Sequence, residues 1–324
     1  MTERSPSPEG VSAAAERVRS QITRTPLLPL DWRGQRLWVK AECLQQGGSF
    51  KLRGATNRLL LLSEEERRRG VVAFSSGNHA LGVAIAARRL GIAATIVMPS
   101  DAPVVKRDST LAAGARIHAY DRATESREEI AASLARQRGA TLVPSFDDVD
   151  VIEGQGSVGL EILDQLGRSP DKVLVPCGGG GLSGGIALAL PEAEVLTVEP
   201  EGWDDMARSI EAGEPLPVAA DAPATRCDSL QTRLVSPLTL EALRESGARG
   251  LSVTEDEVAA AMAFAARHLR LVAEPGGAVA LAALLAGKAG EVTDRTVVVI
   301  SGGNVDPAAY AEIIAAQAAA AAKG

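Results

Sequence analysis

The stretch Gly48-Ser49-Phe50-Lys51-Leu52-Arg53-Gly54 decides how the rest of the chain is interpreted. It places one lysine after an aromatic residue and among small residues, at the start of a predicted helix. A lysine that attacks a carbonyl needs a depressed pKa, and both burial and the field of a helix end lower it. Taken alone, however, such a stretch more commonly marks a surface lysine that begins an ordinary helix.

The chain beyond this stretch has the pattern of an α/β protein. Short apolar runs such as Val71–Phe74 and Lys172–Pro176 alternate with predicted helices over residues 78–90, 124–137 and 154–166. Alternation of strand, helix and glycine is the signature of βαβ units and a parallel sheet. The sequence therefore predicts parallel sheets flanked by helices.

Two of the predicted helices carry a second signal at their start. Ser63 with Glu66, and Thr254 with Glu257, have the spacing of a capping box. Each pair predicts a helix that begins directly after its Ser or Thr.

Three further stretches combine small and polar residues: Ser75-Ser76-Gly77-Asn78-His79, Gly178-Gly179-Gly180-Gly181 and Ser301-Gly302-Gly303-Asn304. Four glycines between a strand and a helix let backbone N–H groups turn toward a phosphate, and the helix end adds a favourable field. A flexible turn or a nucleotide loop is the alternative, but the lysine of a P-loop is absent. By themselves, Asn78 is also compatible with an ordinary N-cap and Ser301 with a turn serine.

In this order, the four stretches resemble the fold-type II pyridoxal phosphate enzymes, in the threonine/serine dehydratase and serine racemase branch. The resemblance extends from about residue 25 to about residue 306. It implies a two-domain α/β fold like that of the tryptophan synthase β chain, with twisted parallel sheets. It implies a large cofactor-binding domain of residues 1–69 and 148–324, a small domain of residues 70–147 inserted in it, and a homodimer.

The resemblance also assigns residues to pyridoxal phosphate. Lys51 would form the Schiff base and later remove the Cα proton. The other cofactor-binding residues would be Phe50 beside the ring, Asn78 at the ring hydroxyl, Gly178, Gly179, Gly180 and Gly181 at the phosphate, Glu274, and Ser301 at the pyridine nitrogen. A neutral hydroxyl at that nitrogen makes the ring a weaker electron sink than a carboxylate would. This favours β-elimination, β-replacement or racemisation over transamination.

The same resemblance assigns substrate-binding residues. They are Ser75, Ser76, Asn78 and His79 at the substrate carboxylate, with Thr232 and Arg127. Arg127 makes a dicarboxylic substrate such as 3-hydroxyaspartate plausible if it points inward, and a solvated helix face is the alternative. Ser76 is a second catalytic candidate, because a hydroxyl opposite Lys51 can return a proton from the other side. That arrangement leaves racemisation open.

A divalent cation is a further expectation. Glu199, the carbonyl of Trp203, and Asp205 match the spacing at which serine racemase and some dehydratases bind one. All three would be hard oxygen ligands, which suit Mg²⁺ or Ca²⁺, and also Mn²⁺. The alternative is a set of surface acids at a helix start.

Composition limits the partners and the compartment. The net charge of −7 argues against nucleic acid and anionic membranes as partners. The 3 cysteines form no CxxC motif, and the first residues lack the apolar run of a signal peptide. The expected location is therefore the cytoplasm.

The sequence predicts a pyridoxal phosphate-dependent dehydratase, an ammonia-lyase, that converts L-threonine or L-serine to a 2-oxo acid and ammonia. A serine or aspartate racemase and a threo-3-hydroxyaspartate dehydratase are the alternatives. A β-replacement transferase fits less well, because His79 stands where the loop of cysteine synthases has a different residue.

Overall fold

The computed structural model describes residues 4–321 and arranges them in two sheets covered by helices. Residues 1–3 and 322–324, which the predicted large domain includes, lie outside the described residues. The strands are β1 (Leu27–Trp32), β2 (Gln35–Ala41), β3 (Val71–Phe74), β4 (Ala94–Pro99), β5 (Arg116–Tyr120), β6 (Thr141–Leu142), β7 (Lys172–Pro176), β8 (Glu194–Pro200), β9 (Arg249–Val253) and β10 (Thr296–Ile300). The helices are α1 (Pro8–Val18), α2 (Lys51–Leu60), α3 (Glu64–Arg69), α4 (Asn78–Arg89), α5 (Val104–Ala112), α6 (Arg127–Arg138), α7 (Val149–Leu166), α8 (Gly181–Ala189), α9 (Asp205–Ala212), α10 (Pro237–Glu245), α11 (Glu255–Phe264), α12 (Pro275–Leu285) and α13 (Pro307–Ala321).

The larger sheet has the strand order β1-β2-β10-β7-β8-β9. Its strands are parallel except for the β1–β2 hairpin. The central strand β10 is buried at every position, as expected for a parallel sheet with both faces covered. Its carboxyl end leads directly to Ser301.

The smaller sheet has the strand order β5-β4-β3-β6, and all its strands are parallel. All four strands come from the segment that the sequence assigns to an inserted domain. A carboxyl edge of a parallel sheet is a common place for a site. Here the carboxyl end of β3 leads to Ser75 and the start of α4.

Helix α2 lies between α4 and α7 at very short distances. A Cβ at Gly154 of α7 would come within 2.7 Å of the Gly54 Cα. A Cβ at Gly82 of α4 would come within 3.1 Å of the Leu52 backbone nitrogen. Small residues therefore let α2, with Lys51 at its first position, pack tightly between two helices. One of them, α4, follows a strand of the smaller sheet, and the other, α7, precedes a strand of the larger sheet.

The predicted α/β class is confirmed, and both capping boxes form. Two helix starts were predicted wrongly. Helix α6 begins at Arg127 because the Ser126 side chain accepts a hydrogen bond from the Glu129 backbone. Helix α7 begins at Val149 because Asp148 caps it in the same way. Within residues 4–321, no helix is long and apolar enough to cross a membrane.

Candidate active site

Loops at the carboxyl ends of β7 and β10 meet the start of α2 around one cavity of about 70 Å³. The cavity is lined by residues from all four predicted stretches, by the predicted site residues Thr232 and Glu274, and by neighbours of these residues. These are Phe50, Lys51, Asn78, Ser145, Phe146, Pro176, Gly178, Gly179, Gly180, Gly181, Leu182, Ser229, Leu230, Thr232, Glu274 and Ser301. The structure thus brings together every residue that the sequence assigned to the cofactor.

Lys51 has an environment suited to an amine nucleophile. Its Nζ donates a hydrogen bond to the Ser145 carbonyl at 2.9 Å and lies 5.1 Å from the centre of the Phe50 ring. Burial lowers the pKa of Lys51 to about 8. A substantial fraction of the amine is therefore neutral near pH 8, as attack on an aldehyde requires.

The segment before Lys51 is joined to the segment after β10 by backbone hydrogen bonds. The Phe50 N–H donates to the Ser301 carbonyl at 3.1 Å, and the Gly303 N–H donates to the Gly48 carbonyl at 2.9 Å. Gly48 has a φ of +73°, which favours glycine. These bonds hold Lys51 and Ser301 at adjacent walls of the cavity.

The glycine loop between β7 and α8 has no room for side chains. A Cβ at Gly180 would lie 2.5 Å from the Met206 Cε, and one at Gly179 would lie 2.4 Å from the Phe146 ring. Gly180 adopts a left-handed conformation with a φ of +86° and precedes the first turn of α8. The N–H groups of that turn have no intrahelical partners, so this loop fits a phosphate.

Asn78 and Glu274 form a hydrogen-bonded pair on another wall. The Asn78 Nδ2 donates to the Glu274 Oε1 at 2.5 Å, and both side chains are buried. Burial, with a smaller effect from the charge of Asp228, raises the pKa of Glu274 to about 8. The carboxyl group is therefore largely neutral at pH 7.

Four predicted substrate residues do not line this cavity: Ser75, Ser76, His79 and Arg127. The His79 Nε2 lies 2.9 Å from the Val143 carbonyl, and burial, then the charge of Lys51, lowers the pKa of His79 to about 3. The Ser75 Oγ accepts a hydrogen bond from the Gly77 N–H at 3.2 Å. The substrate roles of these side chains stay predictions.

Arg127 is exposed rather than pointed into the cavity. Its guanidinium lies 5.6 Å from the centre of the Phe74 ring, at the end of β3, and donates to the Glu128 carboxylate at 2.8 Å. About half of the side chain, 46%, is exposed. Arg127 therefore lies beside the last residue of β3, the strand that leads into the Ser75–Asn78 loop. Its guanidinium still has N–H groups that could donate to a ligand.

Sequence reasoning did not single out Ser145 and Phe146. Ser145 supplies the hydrogen-bond partner of Lys51, and the Phe146 ring covers the glycine loop. Their position shortly after β6, at the carboxyl edge of the smaller sheet, is the signal that could have identified them.

A larger cavity of about 810 Å³ adjoins the first and shares Asn78 and Glu274 with it. Residues of α5, α11 and α13 line its other walls. Asn78 and Glu274 therefore stand at the junction of the smaller cavity with the larger one.

The predicted cation ligands lie elsewhere, between β8 and α9. The Glu199 carboxylate accepts hydrogen bonds from the Met206 and Ala207 N–H groups at 3.0 and 2.9 Å. Both carboxylate oxygens of Asp205 are buried and find no hydrogen-bond partner among the described residues. Within residues 4–321 no cluster of three or more His, Cys, Asp or Glu side chains is suited to a metal. A cation here would need backbone and water oxygens as well.

The depressed pKa of Lys51 predicts how the cofactor-free protein reacts with pyridoxal phosphate. Only the neutral amine attacks, so the rate of imine formation should rise with pH through a midpoint near 8, as Lys51 has its pKa at about 8. Stopped-flow absorbance measures this rate. A midpoint near the ordinary lysine value, about 10.4, would contradict the geometry. Glu274→Gln is the control, because it removes the other group with a pKa of about 8 and should leave the midpoint in place.

A phosphate loop, a lysine of depressed pKa and a buried serine at the neighbouring strand end define a site for a phosphate-bearing aldehyde cofactor. The chain belongs to the pyridoxal-phosphate dependent enzymes, whose family model matches residues 18–303. The orphaned N–H groups of α8 and the amine of Lys51 fit this cofactor's phosphate and aldehyde.

Three similar proteins indicate which members of this family the chain resembles. The chain is 42% identical to an L-threo-3-hydroxyaspartate ammonia-lyase of a Pseudomonas species, over 94% of this chain and 97% of the relative. It is 39% identical to an L-threonine ammonia-lyase of Thermotoga maritima, over 92% of this chain and 75% of the relative. The structure matches that of maize serine racemase with a TM-score of 0.89 and 32% identity, over 98% and 99% of the two chains. The family members similar to this chain thus include ammonia-lyases and a serine racemase.

Proposed function

We propose that this enzyme is an ammonia-lyase that dehydrates a β-hydroxy-α-amino acid to a 2-oxo acid and ammonia. The observation that carries the proposal is that Lys51 and Ser301 line the same cavity as the glycine loop. This arrangement combines a base, a phosphate anchor and an uncharged hydroxyl around one shared cavity.

Each of these residues has a distinct task. Bound pyridoxal phosphate supplies the means to stabilise negative charge at the substrate Cα. Lys51, with its depressed pKa, accepts the Cα proton. Ser301 offers a hydroxyl instead of a carboxylate, which disfavours a long-lived carbanion and so favours loss of the β-hydroxyl. The loop at the start of α4 would hold the substrate carboxylate by its N–H groups.

Among β-hydroxy-α-amino acids, L-threo-3-hydroxyaspartate is the substrate we propose first. The similarity to the Pseudomonas enzyme supports it. Arg127 also supports it, because its partly exposed guanidinium lies beside Phe74 at the strand end that precedes the Ser75–Asn78 loop. A second carboxylate would pair with this guanidinium. L-Threonine and L-serine, which lack that second carboxylate, are the alternative substrates.

The experiment is a substrate panel with the purified enzyme. L-threo-3-Hydroxyaspartate, L-threonine, L-serine and D-serine are each scored for 2-oxo acid, ammonia and the chirality of the remaining amino acid, with and without chelator. Formation of a 2-oxo acid from a β-hydroxy substrate supports the proposal. Inversion of L-serine without ammonia release would instead assign a racemase, for which Ser76 would be the candidate second base.

Arg127→Met should separate the substrates. The KM for 3-hydroxyaspartate should rise about tenfold or more, since a charge-assisted hydrogen bond contributes about 1.5–3 kcal/mol. The kinetics with L-serine should stay within about twofold, because L-serine has no second carboxylate. Arg122→Met is the control, because Arg122 is an exposed arginine just before α6 in the chain that pairs with Asp101. Equal effects on both substrates would rule out recognition of the second carboxylate by Arg127.

We propose that a divalent cation such as Mg²⁺, Ca²⁺ or Mn²⁺ binds at Glu199 and Asp205. The unpartnered oxygens of Asp205 support this, and the Trp203 carbonyl would be the third oxygen. The cation would stabilise the junction of β8 and α9, away from Lys51. Loss of thermal stability on chelation would support it. The homodimer, the cytoplasmic location and the domain bounds at residues 70 and 147 stay predictions.

A further inference from the structure

A chain of side-chain amide hydrogen bonds connects the loop before Lys51 to the wall of the cofactor cavity. The Asn304 Nδ2 donates to the Gly47 carbonyl at 2.7 Å and to the Asn78 Oδ1 at 2.8 Å. The Asn78 Nδ2 in turn donates to the Glu274 Oε1 at 2.5 Å. Asn304 itself does not line the cavity that contains Lys51.

The orientation of the Asn304 amide is fixed by the backbone. A carbonyl oxygen can only accept, so the edge of Asn304 that faces Gly47 must be the NH₂ group. The second hydrogen of that NH₂ group points to Asn78. If the Asn78 amide were turned over, two NH₂ groups would face each other at hydrogen-bonding distance, without an acceptor between them. Asn304 therefore dictates that Asn78 presents its oxygen to Asn304.

Glu274 alone cannot impose this orientation. Burial raises the pKa of Glu274 to about 8, so at neutral pH its carboxyl group can either donate or accept. A protonated Glu274 is satisfied by either edge of the Asn78 amide. The orientation of the Asn78 amide is therefore set by the hydrogen bonds of Asn304 to Gly47 and to Asn78.

We propose that Asn304 is a positioning residue that fixes the Asn78 amide so that one of its N–H bonds is free for an oxygen of the cofactor. The Asn78 NH₂ group has two hydrogens and gives one to Glu274. Asn78 lines the cavity, so the second hydrogen is available there. This inference rests on the proposed function, because it assigns a contact to the bound cofactor.

This chain of hydrogen bonds from Gly47 through Asn304 to Asn78 also joins the two sheets. Asn78 is the first residue of α4, which follows a strand of the smaller sheet. Gly47 and Asn304 lie in loops that flank β2 and β10 of the larger sheet. Asn304 packs closely, since a Cβ at Gly48 would come within 2.2 Å of its Oδ1. A single side chain thus sets the orientation of a donor across the boundary between the sheets.

The test is a double-mutant cycle with Asn304→Asp and Asn78→Ala. Asn304→Asp keeps the shape of the side chain but replaces the NH₂ group by an acceptor oxygen. That oxygen repels the Gly47 carbonyl, and it favours the flipped orientation of the Asn78 amide, in which the Asn78 NH₂ group faces residue 304. The dissociation constant of pyridoxal phosphate is measured by titrating each cofactor-free protein and following the imine absorbance. The unfolding temperature of each cofactor-free protein is recorded in parallel.

In the wild-type background, Asn304→Asp should raise the dissociation constant about tenfold, the effect of one hydrogen bond. In the Asn78→Ala background the same change should have less than about a twofold effect, because the amide through which Asn304 acts is gone. An equal fold-change in both backgrounds, or no change in either, would overturn the proposal. If Asn304→Asp does not fold, Asn304→Ala completes the same cycle.

This readout is independent of the reaction. No substrate is present, so a failure of dehydratase activity leaves the cycle interpretable. Conversely, additive effects on cofactor affinity would remove the role of Asn304 and leave the dehydratase proposal standing.

Discussion

Lys51→Ala should abolish the imine absorbance of the bound cofactor and reduce turnover by at least ~10³-fold. The amine of Lys51 lies in the cavity beside the glycine loop and has its pKa lowered to about 8 by burial. The variant loses both the covalent attachment and the base, and a general base alone contributes about 10²–10⁴-fold. Absorbance spectra of the purified variant with added cofactor, followed by steady-state assays, measure the two losses.

Lys106→Ala is the matched control for that experiment. Lys106 lines the larger adjoining cavity and pairs with Asp228, but it does not line the cavity of the glycine loop. This variant should keep the imine absorbance. A Lys51→Ala protein that still forms the imine would show that another lysine carries the cofactor.

Arg53→Met should lower the free energy of unfolding by about 3–5 kcal/mol, the usual effect of breaking a buried ion pair from one side. Arg53 is fully buried two residues after Lys51. Its guanidinium donates to Glu42 and to Glu161, each at 2.7 Å. Lys40 also donates to Glu161, at 2.6 Å, so Arg53 compensates two acids in a shared network.

The loss follows from the charge that the substitution leaves behind. Glu42 is buried and, without Arg53, would keep the Thr25 hydroxyl as its one side-chain donor among residues 4–321. Urea unfolding of the cofactor-free protein measures the change. Arg36→Met is the control, because the Arg36–Asp31 pair is exposed and such pairs contribute about 0–1 kcal/mol. Equal effects of the two substitutions would contradict a structural role for the buried network.

The fold was predictable from the sequence where local signals agree. The run Val71–Phe74 is a strand as predicted, and the capping boxes at Ser63 and Thr254 form. The sequence did not identify β1, whose residues Leu27–Trp32 contain a proline and are only partly buried. Its pairing with β2 is a tertiary effect that a local pattern does not carry.

The candidate site was predictable to the extent that its residues lie in contiguous motifs. Lys51, the glycine loop and Ser301 each stand beside small residues at a strand or helix end, and the structure brings them to one cavity. The hydrogen bonds of Asn304 to Gly47 and Asn78 were not predictable, since they join residues more than 200 positions apart in the chain. The same holds for Ser145, which meets Lys51 from 94 positions away.

The most direct measurement is to reduce the cofactor-loaded protein with borohydride and map the modified lysine by mass spectrometry. Reduction makes the imine permanent, and a modified Lys51 blocks tryptic cleavage, so we expect the cofactor on the peptide of residues 41–53. A stable adduct on any other lysine, or none on this peptide, would contradict the assignment of Lys51 and the site built around it.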